Sequence, residues 1–162
     1  MAAGAAVGKT FSPATEKLLD RADAICAERG ARLTELRRQV LGLILQADQP
    51  TGAYDLLDRL RATRPGAAPP TIYRALDFLL EHGLIHRLER LSAFVGCVAP
   101  EDGAHEHPAH AAQFLICRDC GRVVEIDDPV LAHALAEAAS RAGFSVSKAT
   151  IEAEGLCGAC VG

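Results

Sequence analysis

The chain has 162 residues, 49% hydrophobic and 23% charged, enough for one or two small domains with proper cores and ordinary for a globular protein. The opening Met-Ala-Ala-Gly-Ala-Ala-Val-Gly-Lys-Thr has no basic segment leading into an apolar core, and no apolar run reaches membrane length; this argues against secretion or a membrane span and for a cytoplasmic protein with reduced thiols. The net charge of −4 argues at first against nucleic acid, but residues 1–95 carry 13 Lys/Arg against 11 Asp/Glu and residues 96–162 carry 4 against 10, as two domains with different tasks would.

Residues 1–12 are small and polar enough to be a disordered N-terminus. Pro13 opens a helix reaching about Arg29, with Leu18, Leu19, Ala22, Ile25 and Cys26 on one side and Gly30 at its end. Cys26 on that face reads as a core thiol. Thr34 is placed to cap a second helix carrying Leu36, Val40, Leu41, Ile44 and Leu45, which Pro50 stops. Thr51 is expected to cap a third, with Tyr54, Leu56, Leu57 and Leu60 as its apolar positions. After the loop at 65–69, Pro70 to Gly83 forms a fourth helix with an apolar stripe of Ile72, Ala75, Leu76, Leu79 and Leu80. Thr71, Tyr73, Arg74 and Asp77 fall on or beside its other face. Leu84 to Leu88 and Ala93 to Val98 read as two strands. Helices followed by a hairpin describe a winged helix over residues 13–98, whose second crossed helix would enter the major groove.

Residues 99–110, rich in Pro, Gly, Asp and His, form a hinge or linker. The rest, 111–162, reads as a small α/β domain: strands at 113–116 and 122–126, an Ala/Leu helix from Pro129 to Arg141 with Leu131, Ala134, Leu135 and Ala138 as its stripe, and a strand from Phe144 to Glu154. The fold class is therefore α+β. Cys117 and Cys120, with Gly121 behind them, and Cys157 and Cys160 make two Cys-x-x-Cys knuckles. Together they offer a closed Cys₄ shell of the kind that holds a structural zinc. The 36 residues between Cys120 and Cys157 are no obstacle, because loop closure costs only about 0.6 kcal/mol per doubling of length. Redox dithiols or disulfides are the alternatives; a cytoplasmic setting disfavours the second, and one redox motif needs no second knuckle.

Four more potential ligands flank the domain junction: His86, Cys97, His110 and Glu125. One sulfur, two imidazoles and a carboxylate suit Zn²⁺, and Cys97 is placed to oppose His86 across the hairpin. Taken singly, each has an ordinary alternative as a core thiol, a strand-edge carboxylate or a surface imidazole, and His105 and His107 compete with His110. For DNA, Arg74 is the natural base reader, because a guanidinium can grip guanine O6 and N7 together. Its alternative is an ion pair with Asp77. Thr71, Tyr73 and Tyr54 are candidates for phosphate or thymine-methyl contact, although Tyr54 could equally be core. Asp58 and Arg61 read as an intrahelical pair or a dimer–dimer contact.

The runs Ala53-Tyr54-Asp55-Leu56-Leu57, Pro69-Pro70-Thr71-Ile72-Tyr73-Arg74-Ala75-Leu76-Asp77-Phe78-Leu79, Phe114-Leu115-Ile116-Cys117-Arg118-Asp119-Cys120-Gly121 and Ile151-Glu152-Ala153-Glu154-Gly155-Leu156-Cys157 resemble the ferric uptake regulator family, specifically its zinc uptake regulator branch. The resemblance runs from about residue 15 to 160. It implies an N-terminal winged-helix DNA-binding domain hinged to a C-terminal dimerisation domain. It further implies two Zn²⁺ per chain, a structural one at Cys117, Cys120, Cys157 and Cys160 and a regulatory one at His86, Cys97, His110 and Glu125. The expected function is a homodimeric, zinc-responsive repressor of zinc-uptake genes, binding a pseudo-palindromic operator with one or two dimers. Iron, manganese or peroxide sensing is the alternative within the family; a zinc-stabilised thiol redox or metal-delivery protein is the alternative outside it. No nucleophile–base constellation suggests an enzyme.

Overall fold

A computed structural model describes residues 11–98 and 111–162. The expected linker, with His105, His107 and His110, lies outside them, as does the N-terminus to Thr10. The chain divides into two compact units, Met1–Gly103 and Ala104–Gly162.

The first unit begins with α1 (Pro13–Glu28), whose N-terminus Ser12 caps by accepting from the Thr15 amide at 3.2 Å. Ser12 and Phe11 were expected in the disordered arm, yet both belong to the fold. Phe11 packs on the core, its ring occupying the space beside Gly42 that a Cβ would fill. Thr34 caps α2 (Glu35–Leu45) as its position predicts. Thr51 caps nothing. It lies buried in a two-residue strand, β1 (Thr51–Gly52), opposite Phe94, and Gly52 is the N-cap of α3 (Ala53–Arg61). The register of a distant strand overrides the local capping preference. Helix α4 (Pro69–Glu81) starts at paired prolines and closes on Gly83, at φ +67°, through Gly83 N–H to Leu80 O and Leu84 N–H to Leu79 O. Strands β2 (Ile85–Leu88) and β3 (Ala93–Gly96), joined through a 3₁₀ turn at Glu89–Leu91, make the wing, and the sheet order is β1-β3-β2. Leu19, Leu41, Leu56, Leu60, Ile72, Leu76, Leu79, Leu84 and Ile85 fill one core with Cys26. Each such burial contributes about 1.5–3 kcal/mol.

The second unit is a sheet of order β5-β4-β6, built from β4 (Ala111–Cys117), β5 (Val123–Ile126) and β6 (Ala149–Gly155), with helix α5 (Pro129–Arg141) between the last two. Strand β4 runs antiparallel to β5 and parallel to β6. The buried Gln113 amide closes the β5–α5 connection, donating to Asp128 O at 2.9 Å and accepting from Asp128 N–H at 3.2 Å. The expected strand from Phe144 is shorter at its start. Its pairing begins at Ala149, opposite the first residue of β4, and the Phe144 N–H is bound to Ala139 O at the end of α5. The Leu131 stripe of α5 finds no cover: none of that helix's residues is buried. No helix of the described residues is long and apolar enough to cross a membrane.

Candidate metal centre

The Cys₄ cluster follows from the register of β4 and β6. Cys117 ends β4 opposite Gly155 of β6, so the turn after β4 and the turn after β6 leave the same end of the sheet. Each turn is closed from within: Gly121 N–H donates to Cys117 O at 3.0 Å and Cys160 N–H to Cys157 O at 2.8 Å. Gly121 takes φ +74°, a conformation in which a side chain is strained. The Arg118 N–H donates to Gly155 O at 2.9 Å and pins one knuckle to the other.

All four sulfurs lie within 4.8 Å of one another. Cys120 and Cys157 Sγ are 3.7 Å apart. Tetrahedral zinc with Zn–S bonds of about 2.3 Å separates its sulfurs by about 3.8 Å, whereas a disulfide needs about 2.05 Å. The cysteines are free thiols, and the set fits a closed Zn²⁺ site with no position left for a substrate. The amides of Cys120, Cys157 and Asp119 aim at the Cys117 sulfur and bring its pKa from 9.0 to about 6, thiolate character that suits a metal ligand. The Ala159 amide lowers that of Cys157. Cys160 moves upward instead, because the Asp119 carboxylate and Cys157 share its proton. Asp119 escaped the sequence reading; an acid inside a Cys-x-x-Cys turn was the available signal.

In the first unit, His86 of β2 and Cys97, just past β3, bring their ligand atoms within 4.8 Å of each other. The two are diagonal, not directly opposite as expected: His86 faces Val95, and Cys97 N–H donates to Leu84 O at 2.9 Å. Both are half-buried. Glu125 lies on β5 of the second unit, opposite Phe114.

The face of α4 away from the core carries Pro70, Tyr73, Arg74, Asp77 and Glu81, all exposed, with Thr71 half-buried. Tyr73 is 45% exposed, and Tyr54 on α3 is 68% exposed and not core. Arg74 forms no ion pair with Asp77 or any other described residue, whereas Asp58 and Arg61 do pair within α3 at 3.3 Å. Two contacts that no spacing announced hold α4 in place. The Arg37 guanidinium of α2 stacks 3.7 Å from the Phe78 ring centroid, and Arg29 Nη1 donates to His82 O at 2.6 Å.

The model of the ferric uptake regulator family matches residues 28–154. The zinc uptake regulation protein of Escherichia coli K12 is 43% identical over 147 residues, covering 91% of this chain and 83% of that protein. A zinc uptake regulator solved in complex with zinc and DNA superposes with a TM-score of 0.82 at 42% identity, covering 93% of this chain and 97% of that one. Holo XcZur superposes at 0.74, also at 42% identity, covering 88% and 95%.

Proposed function

This chain belongs to the ferric uptake regulator family, and from that premise we propose that it is a zinc-responsive, sequence-specific DNA-binding repressor of zinc-uptake genes, acting in the cytoplasm as a homodimer. The observation that carries this reading is the pair of ligand atoms from His86 and Cys97, within 4.8 Å of each other on the wing of a DNA-binding fold. An imidazole and a thiolate there give a metal a direct hold on the unit that meets the duplex. Cys97 also argues for zinc over the harder ions that iron and manganese sensors take.

Two zinc ions per chain have separate tasks in this proposal. Cys117, Cys120, Cys157 and Cys160 hold the structural ion and with it the second unit. His86, Cys97, His110 and Glu125 hold the regulatory one. Shifting a conformational equilibrium from 1:99 to 99:1 takes about 5.5 kcal/mol of differential binding. Zinc sites in folded peptides reach roughly 10–16 kcal/mol, so a Cys-containing site is sufficient.

Dimerisation is supported by the second unit's uncovered apolar surface. Val130 of α5 and Phe144 are each 74% exposed, and Leu131, Leu115 and Val161 are also exposed. With no fully buried residue and only Ala132, Leu135 and Ala139 half-buried, α5 has little tertiary packing to stabilise it among the described residues, and a second copy would supply it. Pseudo-palindromic DNA matches such a two-fold dimer.

Cys97→Ser is the deciding test. The variant should fold and dimerise as the wild type does, hold one zinc fewer per chain by native mass spectrometry, and bind operator without regard to free zinc. Wild-type zinc response in that variant would remove Cys97 from the sensor and leave the proposal without its main support.

A further inference from the structure

Resting on the DNA-binding reading above, we infer that Asp77 is a second base-reading residue, accepting a hydrogen bond from a cytosine amino group at the base pair next to the one Arg74 reads. Both side chains stand on the outward face of α4, whose inward face is fixed by the buried Ile72, Ala75, Leu76 and Leu79. They are three residues apart, which is about 4.5 Å along a helix axis, and one base-pair step is about 3.4 Å. Adjacent base pairs are therefore within reach of the two.

Opposite charges at this spacing ordinarily pair on a helix surface. Asp58 and Arg61 in the preceding helix have the same i, i+3 spacing and do pair, at 3.3 Å. Asp77 and Arg74 do not, and neither has another partner among the described residues. Arg37 and Arg29, the cations that α2 and α1 send toward the end of α4, are taken up by the Phe78 ring and the His82 carbonyl. Asp77 thus presents a solvated carboxylate on the face that meets a polyanion. Near phosphates such a group is a pure penalty. In the major groove the amino donors are cytosine N4 and adenine N6, and cytosine is the better partner for a carboxylate because adenine sets its N7 acceptor beside the amino group. Guanine and thymine present carbonyl oxygens at the same place and are repelled. The carboxylate therefore lowers general affinity for DNA while it sharpens choice, which is how specificity arises from a repulsive element.

The test uses the zinc-loaded full chain and an operator selected from a randomised duplex library. Binding is measured against every single base-pair substitution for wild type, Asp77→Ala, Asp77→Asn and Arg74→Ala. Asp77→Ala should flatten discrimination at one C·G pair, adjacent to the pair flattened by Arg74→Ala, by about tenfold, and should bind random duplex more tightly than wild type. Asp77→Asn should move the preference at that pair toward adenine, whose N6 and N7 an amide can grip together. A change of equal size on every operator would reduce Asp77 to a background charge and overturn the inference, as would an unchanged profile. A zinc-loaded wild type that cannot tell operator from random duplex would overturn the parent reading and this inference with it, an outcome visible before any variant is made.

Discussion

Arg74 has no ion-pair partner among the described residues, and that makes its contribution measurable. A guanidinium already paired with Asp77 would have to break that pair to reach a base; this one has no pair to break. Replacing Arg74 with Lys keeps the charge and removes the planar fork. The expected loss is about 1–3 kcal/mol in operator affinity, confined to one G·C pair. A double-mutant cycle between Arg74→Lys and substitution of that pair, read by fluorescence anisotropy, should show the two losses overlapping. Simple addition of the losses would place the contact on phosphate. At this scale the sequence was legible where chemistry is written as spacing. Two Cys-x-x-Cys turns announced their cluster, and the alternation of α4 announced which side chains face outward. It offered Arg74–Asp77 and Asp58–Arg61 as pairs at the same i, i+3 spacing, and only the second forms. It also placed Cys97 directly opposite His86, whereas the turn at 89–92 fixes a register that pairs Leu88 with Ala93 and His86 with Val95 and so carries Cys97 on to Leu84.

Helices declared themselves through apolar stripes of period 3.6, and four of the five bury most of the predicted residues, with Tyr54 of α3 left exposed. The exception is informative. Helix α5 has a stripe as regular as the others, but none of its residues is buried among the described residues, as expected of a surface kept for the proposed second copy. Strand β1 was missed because two residues have no periodicity to read; only pairing with Phe94 and Ala93 makes them a strand. The opposite error occurred at Phe144, where alternation was present but a neighbouring strand was not. Helix α5 yields a direct test of dimerisation. Leu131→Glu places a charge on the uncovered stripe without touching a metal ligand. Losing the burial of a leucine removes about 1.5–3 kcal/mol of association energy per subunit, and a buried charge adds to the loss. Sedimentation should show the variant as monomer at concentrations where the wild type is dimeric, with its Cys₄ zinc retained. A wild-type dimer constant would move the interface elsewhere.

For the whole molecule, the two proposed metal sites fail in different ways, and the difference separates architecture from sensing. Cys120→Ser leaves three sulfurs for the structural ion. Because a site of that kind supplies folding free energy of roughly 10–16 kcal/mol, against a total stability of about 5–15 kcal/mol for a small domain, the second unit should unfold and the dimer come apart. The first unit has its own core and should keep its helices by circular dichroism. What remains is one winged helix per molecule, with half the phosphate contacts. Since counterion release scales with those contacts, the slope of log affinity against log salt should fall to about half the wild-type value, and free zinc should no longer matter. Cys97→Ser should instead keep the dimer while losing the zinc response. If Cys120→Ser retained both dimer and full salt slope, the second unit would be stable without its metal. The four thiols would then need another explanation, with the redox reading first in line.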